Sequence, residues 1–252
     1  MERRCRPSKM INNDFYDDLY EGWYSRLDHP VALLRAGHAL RTPWILDSLP
    51  PVRKIIDIGC GAGILANELA KAGHHVTGVD LSTNSLNIAK AHDETHSVFY
   101  LNANAYSLPF QDGEFDAVCV MDVLEHVEEP HLLIGEAARV LKAKGSFFFH
   151  TFNRTLLSYF LIVKAVDWFL PHTPKRMHLF PLFIKPDELE GMLEMHKLNI
   201  QTTLGVRPQF SKAFWKVAAE RQVPLDFAFC FCRSLSMGYC GIARKRGALS
   251  LR

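Results

Sequence analysis

Short apolar runs and longer amphipathic stretches alternate along the chain between Arg53 and Thr151. Five of the runs are short and apolar, as strands of a buried sheet are; they are KIIDIGC, HVTGVDL, SVFYLNA, DAVCVMD and SFFFHTF. Three stretches have apolar residues at helical spacing; they are GILANELAKAG, STNSLNIAKAHD and PHLLIGEAARVLK. Strands that alternate with helices predict an α/β fold with a Rossmann-like, doubly wound and mostly parallel sheet.

The flanking segments predict further elements. Two amphipathic stretches, residues 14–27 and 30–49, predict helices that are separated near His29-Pro30. After the alternation, DELEGMLEMH and LNIQTTLGV predict a helix and a strand, and two elements of unassigned type follow, at about 211–221 and 226–243.

This order of elements predicts an N-terminal helical cap, residues 1–50, and one α/β domain, residues 51–252. An insertion, residues 153–186, interrupts the domain after its fifth strand. The insertion contains the apolar run TLLSYFLIVKAVDWFLPHTP, which begins at Thr155. A bilayer span needs about 20 apolar residues with few charges. Lys164, Asp167 and Pro171 fall within this run, so we expect either a core helix or a surface that meets lipid.

Composition and charge exclude several classes of protein. The 252 residues carry a net charge of +2, too little to indicate a nucleic-acid partner. The six cysteines form no C-x-x-C pair, and the N-terminus lacks the pattern of a secretory signal. We therefore expect buried thiols and a cytoplasmic protein. Basic residues cluster only locally, and for both termini we interpret them as solvated tails; the terminal clusters are Arg3, Arg4, Arg6 and Lys9, and Arg244, Lys245 and Arg246.

A glycine-rich turn follows the first predicted strand. Its sequence, Asp57-Ile-Gly59-Cys-Gly61-Ala-Gly63, provides the tight turn and close backbone approach that a nucleotide ligand needs. Asp80 ends the next strand, 21 residues after Gly59 (80 − 59 = 21), where a carboxylate can accept both hydroxyls of a ribose. Together these features predict an adenosine-containing cofactor.

The G-C-G-A-G spacing after Asp57 resembles the first motif of class I S-adenosylmethionine-dependent methyltransferases. Later segments resemble other motifs of that family; they are Asn104-Ala105 with SLPF, FDAV leading into Met121-Asp122-VLEHV, and LKAKGS without the usual Pro and first Gly. The resemblance implies the methyltransferase fold for residues 51–252 and S-adenosyl-L-methionine as cofactor. The cofactor-binding residues that it implies are Arg41, Asp57, Gly59, Gly61, Gly63, Asp80, Leu81, Asn104, Ala105 and Met121.

The segment from Thr151 to Leu189 resembles, more narrowly, the ubiquinone-biosynthesis O-methyltransferases, as does the Leu40-Arg41 segment. The matching pieces are TFNR, the apolar run, Pro174-Lys175, His178 and FIKPDEL. The resemblance implies a lipophilic quinone precursor, a polyprenylated phenol or catechol, as methyl acceptor. It departs at Arg176-Met177, where the family has Gly-Thr, and it fades after about residue 209.

Methylation of a phenol requires removal of its proton, by a base or with the help of a metal. We predict His126 as the base, because it follows the fourth strand where donor and acceptor should meet; His150 and His178 are alternatives. Asp122, Glu125 and His126 have the i, i+3, i+4 spacing that would place three ligands on one face of a helical turn, so a divalent metal is a second option.

Two alternatives to this function stay open at this point. The acceptor could be a different small molecule, or the chain could bind cofactor without catalysis within a membrane-associated complex. A nicotinamide-dependent dehydrogenase is disfavoured by the glycine spacing.

The apolar run lies beside the expected acceptor site and is followed by Lys175 and Arg176. We therefore expect residues 155–180 to contact anionic lipid peripherally, at the inner face of the membrane. No pattern indicates an oligomeric state.

Overall fold

Eight strands form one sheet in the computed structural model, which describes residues 13–247. The order across the sheet is β3-β2-β1-β4-β5-β8-β6-β7. The strands are β1 Lys54–Ile58, β2 His75–Asp80, β3 Phe99–Asn102, β4 Phe115–Met121, β5 Leu141–Phe152, β6 Leu198–Pro208, β7 Phe229–Cys232 and β8 Gly238–Lys245.

Strands β1 to β5 are mutually parallel, whereas β8 runs antiparallel to β5 and β6, and β7 antiparallel to β6. This arrangement confirms the predicted Rossmann-like, mostly parallel sheet. As a result, the carboxyl ends of β1 to β6 and the first residues of β7 and β8 share one edge, which we call the C-terminal edge. Open α/β sheets bind their ligands at this edge.

The central strands are apolar on both faces, as expected for a parallel sheet covered by helices on each side. Ile56, Val118 and Phe147 pack into one core cluster, while their neighbours Ile55 and Phe148 pack into the other. All five are fully buried. The two cores hold the C-terminal edge, and the loops that leave it, in fixed positions.

Nine helices accompany the sheet in the described part of the chain. They are α1 Gly22–Ser25, α2 Val31–Ser48, α3 Ile64–Lys71, α4 Thr83–Ala91, α5 Pro130–Val140, α6 Leu156–Ser158, α7 Ala165–Phe169, α8 Pro186–Met195 and α9 Lys212–Glu220. The three helices predicted within the alternation are confirmed as α3, α4 and α5. Of the two elements of unassigned type, the first is α9, and the second comprises two strands, β7 and β8.

The N-terminal region corrects one prediction. Residues 14–27 do not form a continuous helix; they contain a 3₁₀ turn, Asp14–Tyr16, and the four-residue α1. The chain bends between these turns, where Tyr20 has a left-handed φ of 45°, and the bend stacks the Tyr16 and Trp23 rings with centroids 5.3 Å apart. Packing of these aromatic rings thus overrides helical periodicity. The predicted second helix is confirmed as α2. The basic residues before position 13 lie outside the described residues.

The apolar run of the insertion is helical without a break from Leu156 to Phe169, but its winding changes along its length. It consists of α6, a wide π-helical turn over Tyr159–Lys164, and α7. Val166 and Leu170 are buried, whereas Phe160 and Trp168 are more than half exposed. Part of the run is therefore core and part is surface. Among residues 13–247, no helix is long and apolar enough to cross a membrane.

Candidate active site

One long cavity of about 1200 Å³ runs along the C-terminal edge of the sheet. Pockets for single small ligands usually enclose about 300–1000 Å³, so this cavity has room for more than one ligand. Its lining includes residues from the edge ends of seven strands or from the turns that follow them; in sheet order they are Asp80, Gly59, Met121, His150, Gly238, Val206 and Phe229.

The glycine turn forms one end of the cavity, which we call the glycine-turn end. Gly59 and Gly61 have φ angles of 73° and 50°, in the left-handed region that favours glycine. A Cβ on Gly59 would lie 2.3 Å from Val123, and one on Gly61 would lie 2.8 Å from Trp23. Both glycines line the cavity, so the backbone itself is exposed to a ligand there.

Gly63 serves packing instead. It is the N-cap of α3 with a φ of 75°, and a Cβ there would lie 2.2 Å from the hydroxyl of Tyr100 on β3. Asp57 is likewise buried behind the turn, and neither residue lines the cavity. Burial, together with the charges of Asp80 and Asp122, raises the pKa of Asp57 to about 7. These two predicted residues therefore support the glycine-turn end rather than form its surface.

Asp80 lies at the rim of the glycine-turn end. Its Oδ2 accepts a hydrogen bond from the Gly61 amide at 2.9 Å, and its Oδ1 accepts one from the Ser82 amide at 2.8 Å. Burial raises the pKa of Asp80. Each carboxylate oxygen can accept a second hydrogen bond, so the group is held in place while still able to bind two hydroxyls. The adjacent Leu81 side chain is 69% exposed and lines the cavity.

The remaining predicted contacts come from the ends of β3 and β4. Asn104 and Ala105 follow β3, and Met121 ends β4; all three line the cavity. Oδ1 of Asn104 accepts a hydrogen bond from the Tyr106 amide at 2.9 Å. This bond fixes the side chain with its NH2 group turned away from that amide. Together with Leu81, these residues provide an apolar slot with a polar edge, as an adenine ring requires.

A buried ion pair occupies the middle of the cavity. The Arg41 guanidinium donates to both oxygens of Asp122, at 2.9 and 2.5 Å, across 81 residues of sequence. His150 Nδ1 lies 2.5 Å from the same carboxylate, and His38 Nε2 lies 3.7 Å from it. Burial alone would raise the pKa of Asp122, but the Arg41 and His150 contacts outweigh it and hold that pKa well below its usual range.

The structure corrects the predicted metal-ligand set. Asp122 has a left-handed φ of 59°, so the helical turn begins after it, and the three side chains do not share a helical face. Among the described residues, the carboxylates that could share an ion, Asp122 and Glu125, have His150 rather than His126 as their third partner, with ligand atoms within 4.8 Å of one another. Arg41 already engages both oxygens of Asp122, so a metal ion would have to compete with the guanidinium.

The histidines of the cavity are neutral at physiological pH. Burial lowers the pKa of His126 to about 4 and that of His178 to about 3, and their rings lie 5.4 Å apart. Burial also lowers the pKa of His150. His126, His150 and His178, the three candidate bases, all line the same part of the cavity. We call this part, with Arg41, Asp122 and Glu125, the polar centre.

Glu125 has chemistry that the sequence indicated only as metal ligation. Its Oε2 accepts a hydrogen bond from the Thr151 hydroxyl at 2.8 Å, while Oε1 is buried and has no hydrogen-bond partner among the described residues. Burial and the Asp122 charge raise the pKa of Glu125 to about 8.

Tyr16 and Trp23 of the N-terminal cap also line the cavity. No motif pointed to these two residues; their only signal was aromatic character in an amphipathic stretch.

Beyond the polar centre, the cavity continues into a part that we call the apolar chamber. Its lining comes from residues 161–170 and 206–229, and every side chain that these segments contribute is aliphatic or aromatic. It lies beneath α7 and α9, next to the ends of β6 and β7. The cavity thus has a glycine-turn end, a polar centre and an apolar chamber, in that order along the sheet.

The groups that line the glycine-turn end fit S-adenosylmethionine. It combines a close-approach backbone, a fixed carboxylate for the ribose and an apolar slot for the adenine. Burial first, and then the charges of Asp80 and Asp122, raise the pKa of Asp57, so neighbouring carboxylates contribute negative potential there. A cationic sulfonium lowers its energy in such a potential.

Comparisons with known proteins agree with this geometry. Residues 56–149 match the family model described as a methyltransferase domain. A ubiquinone biosynthesis O-methyltransferase of Hydrogenovibrio crunogenus is 38% identical over 208 residues, which are 81% of this chain and 85% of the relative. The enzyme of the same name from Thiobacillus denitrificans is also 38% identical, over 73% of this chain and 81% of the relative.

Solved structures agree at the level of the fold. A Pyrococcus horikoshii protein has a TM-score of 0.65 at 18% identity, covering 93% of this chain and all of that one. Magnesium protoporphyrin IX methyltransferase from Synechocystis, with bound S-adenosylhomocysteine, has a TM-score of 0.57 at 17% identity, covering 85% and 84%. The sequence relatives go further than the fold, since they match most of both chains. The chain belongs to the ubiquinone biosynthesis O-methyltransferase family and is an S-adenosylmethionine-dependent methyltransferase.

Proposed function

We propose that this enzyme methylates a phenolic hydroxyl of a polyprenylated phenol or catechol, an intermediate of ubiquinone biosynthesis. The observation that carries the proposal is the order of environments in the one long cavity. A cofactor site, a polar centre with neutral histidines and an apolar chamber follow one another along the sheet. The relatives named as ubiquinone biosynthesis O-methyltransferases support the same substrate class.

The predicted cofactor residues fall into two groups in this proposal. Asp80 binds the ribose hydroxyls, the backbone at Gly59 and Gly61 receives the methionine part, and the adenine lies against Leu81, Asn104, Ala105 and Met121. Asp57 and Gly63 support the turn from behind. Arg41 has two of its five N–H groups left after its bonds to Asp122 and Gly37, and these can bind a carboxylate.

The chemical step needs alignment and one proton acceptor. The cofactor supplies an electrophilic methyl group on a sulfonium when it is bound. The acceptor oxygen forms a bond to that methyl carbon as the carbon–sulfur bond breaks, and the phenolic proton moves to a base. His126 is the base that we assign, because it lines the polar centre as a neutral imidazole. His150, which Asp122 orients, is the second candidate.

Arg41 supplies the positive charge at the polar centre in this proposal, in place of a divalent metal. Its guanidinium is 2% exposed and forms a two-pronged pair with Asp122. Paired forks of this kind are geometrically specific and strong. Arg41 thereby fixes Asp122, and through it the ring of His150, without a metal ion.

Peripheral contact with anionic lipid completes the proposal. Leu157, Phe160 and Trp168 of the insertion are exposed. Phe210, just before α9, and Trp215, on α9, are exposed at the open side of the cavity. Exposed apolar side chains with cationic neighbours suit the headgroup region of a bilayer; the cationic neighbours are Lys164, Lys175, Arg176, Lys212 and Lys216. A polyprenyl acceptor resides in that bilayer.

Methyl transfer from labelled S-adenosylmethionine tests the function. We expect turnover on polyprenyl catechols and phenols, unchanged by a chelator, and slower turnover on carboxylate or amine acceptors. Preference for the latter would favour a different acceptor class. Cofactor binding by calorimetry without turnover on any acceptor would instead favour a binding protein that has lost catalysis.

A further inference from the structure

The apolar chamber is built from segments that are far apart in sequence. Val166 and Leu170 of the insertion pack with Ala213 of α9 and with Phe227 in one core cluster. Phe227 in turn contacts Phe229, the first residue of β7, with ring centroids 5.3 Å apart. The chamber therefore has a floor at the end of the sheet and a roof of two short helices.

Two polar contacts join this roof to the N-terminal cap. The Val223 amide donates to the Leu27 carbonyl at 2.7 Å. His172 Nε2 of the insertion lies 3.1 Å from Oδ2 of Asp28. Three segments, the cap, the insertion and the chain after β6, thus close around the same space. Each contributes lining residues; Leu33, Ala165 and Ala218 are one from each.

The walls that the insertion and the chain after β6 give this space are apolar throughout. The residues that line it from 161–170 and 206–229 are all aliphatic or aromatic. The chamber is open on one side, where Phe210 and Trp215 are exposed, and apolar cavities bind apolar ligands. Filling it with hydrocarbon removes apolar surface from water at about 25 cal/mol per Å². An apolar ligand is therefore the occupant that the chamber favours.

The position of the chamber relative to the polar centre defines the shape of that ligand. From β5, which carries His150, the sheet continues through β8 and β6 to β7. Three strand spacings of about 4.8 Å make this distance about 14 Å. A ligand with its hydroxyl at the polar centre would thus extend an apolar chain along the sheet edge, beneath α7 and α9.

We propose that the apolar chamber binds the polyprenyl tail of the methyl acceptor, and that residues after β6, outside the part of the chain that resembles the family, set the preference for that tail. The proposal rests on the proposed function, because it takes its substrate class from it. It assigns recognition of the tail to α7 and α9, and recognition of the head group to the polar centre.

Two neighbouring alanines on α9 offer a matched test. Ala218 lines the chamber, whereas Ala219 does not, and both are exposed enough to accept a larger side chain. Ala165→Phe, on the opposite wall, gives an independent second variant. We would measure kcat and KM for a catechol with a farnesyl tail and for the same catechol with a methyl group in its place.

Ala218→Trp and Ala165→Phe should each raise the KM for the farnesyl acceptor at least tenfold, with the methyl acceptor unchanged within twofold. Ala219→Trp should change neither. Equal changes in KM for the two acceptors would overturn the tail site. It would also be overturned if Ala218→Trp and Ala219→Trp had the same KM and Ala165→Phe left the KM for the farnesyl acceptor unchanged. Failure of the wild type to methylate either acceptor would instead refute the proposed function, and the tail site with it.

Discussion

The two ends of the cavity are built in different ways. The glycine-turn end comes mainly from residues 59–121, a run of strands, helices and tight turns that are neighbours in sequence, with Trp23 of the cap beside Gly61. The apolar chamber comes from the cap, the insertion and the chain after β6, which meet only in the folded protein. Cofactor recognition is thus mostly local in sequence, with Arg41 of α2 as a distant contribution, whereas acceptor recognition is assembled from distant segments throughout. The two can consequently vary independently, and variants should separate them.

The polar centre between the two ends should affect every acceptor alike. We expect His126→Ala to lower kcat by about 10²- to 10⁴-fold, the usual contribution of a general base, for both the farnesyl and the methyl catechol. His150→Ala is the matched comparison, since that ring is held by Asp122. If kcat of His126→Ala stays within threefold of the wild type, His126 is not the base.

The outer surface of the apolar end should affect lipid binding alone. Changing both Phe160 and Trp168 to Ser removes two exposed aromatic side chains, each contributing at least about 1.5 kcal/mol when buried in lipid. We therefore expect about a hundredfold weaker binding to phosphatidylglycerol liposomes in co-sedimentation. Phe99→Ser, at the opposite end of the sheet on β3, is the control, because Phe99 is equally exposed. Unchanged binding of the double variant would contradict peripheral contact through the insertion.

The glycine-turn end should affect the cofactor alone. Asp80→Ala removes the carboxylate that we assign to the ribose, and hydrogen bonds to a charged group contribute about 1.5–3 kcal/mol each. We expect S-adenosylmethionine to bind more than tenfold more weakly in calorimetry. Asp47→Ala, an exposed carboxylate on α2, and Ala218→Trp, at the other end of the cavity, should bind it as the wild type does. Normal affinity in Asp80→Ala would remove Asp80 from the cofactor site.

The cap beside the apolar chamber should be sensitive to acid. Burial, followed by the charge of Arg26, lowers the pKa of His29 from 6.5 to about 4, and its Nδ1 accepts a hydrogen bond from the Val31 amide at the start of α2. The unfolded chain takes up this proton below pH 6.5 while the folded chain does not. The stability that neutral His29 contributes is therefore fully present above pH 6.5 and is lost as the pH falls towards 4.

A variant isolates this effect. His29→Asn keeps a side-chain acceptor for the α2 amide but cannot titrate. Between pH 6.5 and 4, the wild type should lose up to about 1.4 kcal/mol per pH unit more unfolding free energy than the variant, measured by urea denaturation. Identical pH profiles would show that His29 is not buried in its neutral form.

The same contrast explains which features were predictable. Gly59, Gly61 and Asp80 have fixed spacing within one strand–helix–strand unit, so the sequence was enough to place them together. Arg41 and Asp122 are 81 residues apart, and their pairing depends on how α2 crosses the sheet. His150 replaces His126 beside Asp122 because the backbone of Asp122 is left-handed, which no periodicity reveals.

The cap and the insertion show the limit of periodicity for secondary structure. Residues 14–27 have helical spacing, yet the stacking of Tyr16 and Trp23 bends the chain. The apolar run is helical as its pattern indicates, but its middle is wound as a π-helix over Tyr159–Lys164. Val166 and Leu170 face the core, while Phe160 and Trp168 stay exposed. Ring stacking within the cap and π-helical winding within the insertion are details that helical periodicity does not encode.

Photocrosslinking tests the central claim most directly. A catechol acceptor whose prenyl tail ends in a diazirine would be bound together with S-adenosylhomocysteine, irradiated, and the labelled peptides identified by mass spectrometry. We expect the label in residues 161–170 and 206–229, at the apolar end of the cavity. Label concentrated in residues 79–105, at the glycine-turn end, would contradict the division of the cavity into a cofactor end and a tail-binding chamber.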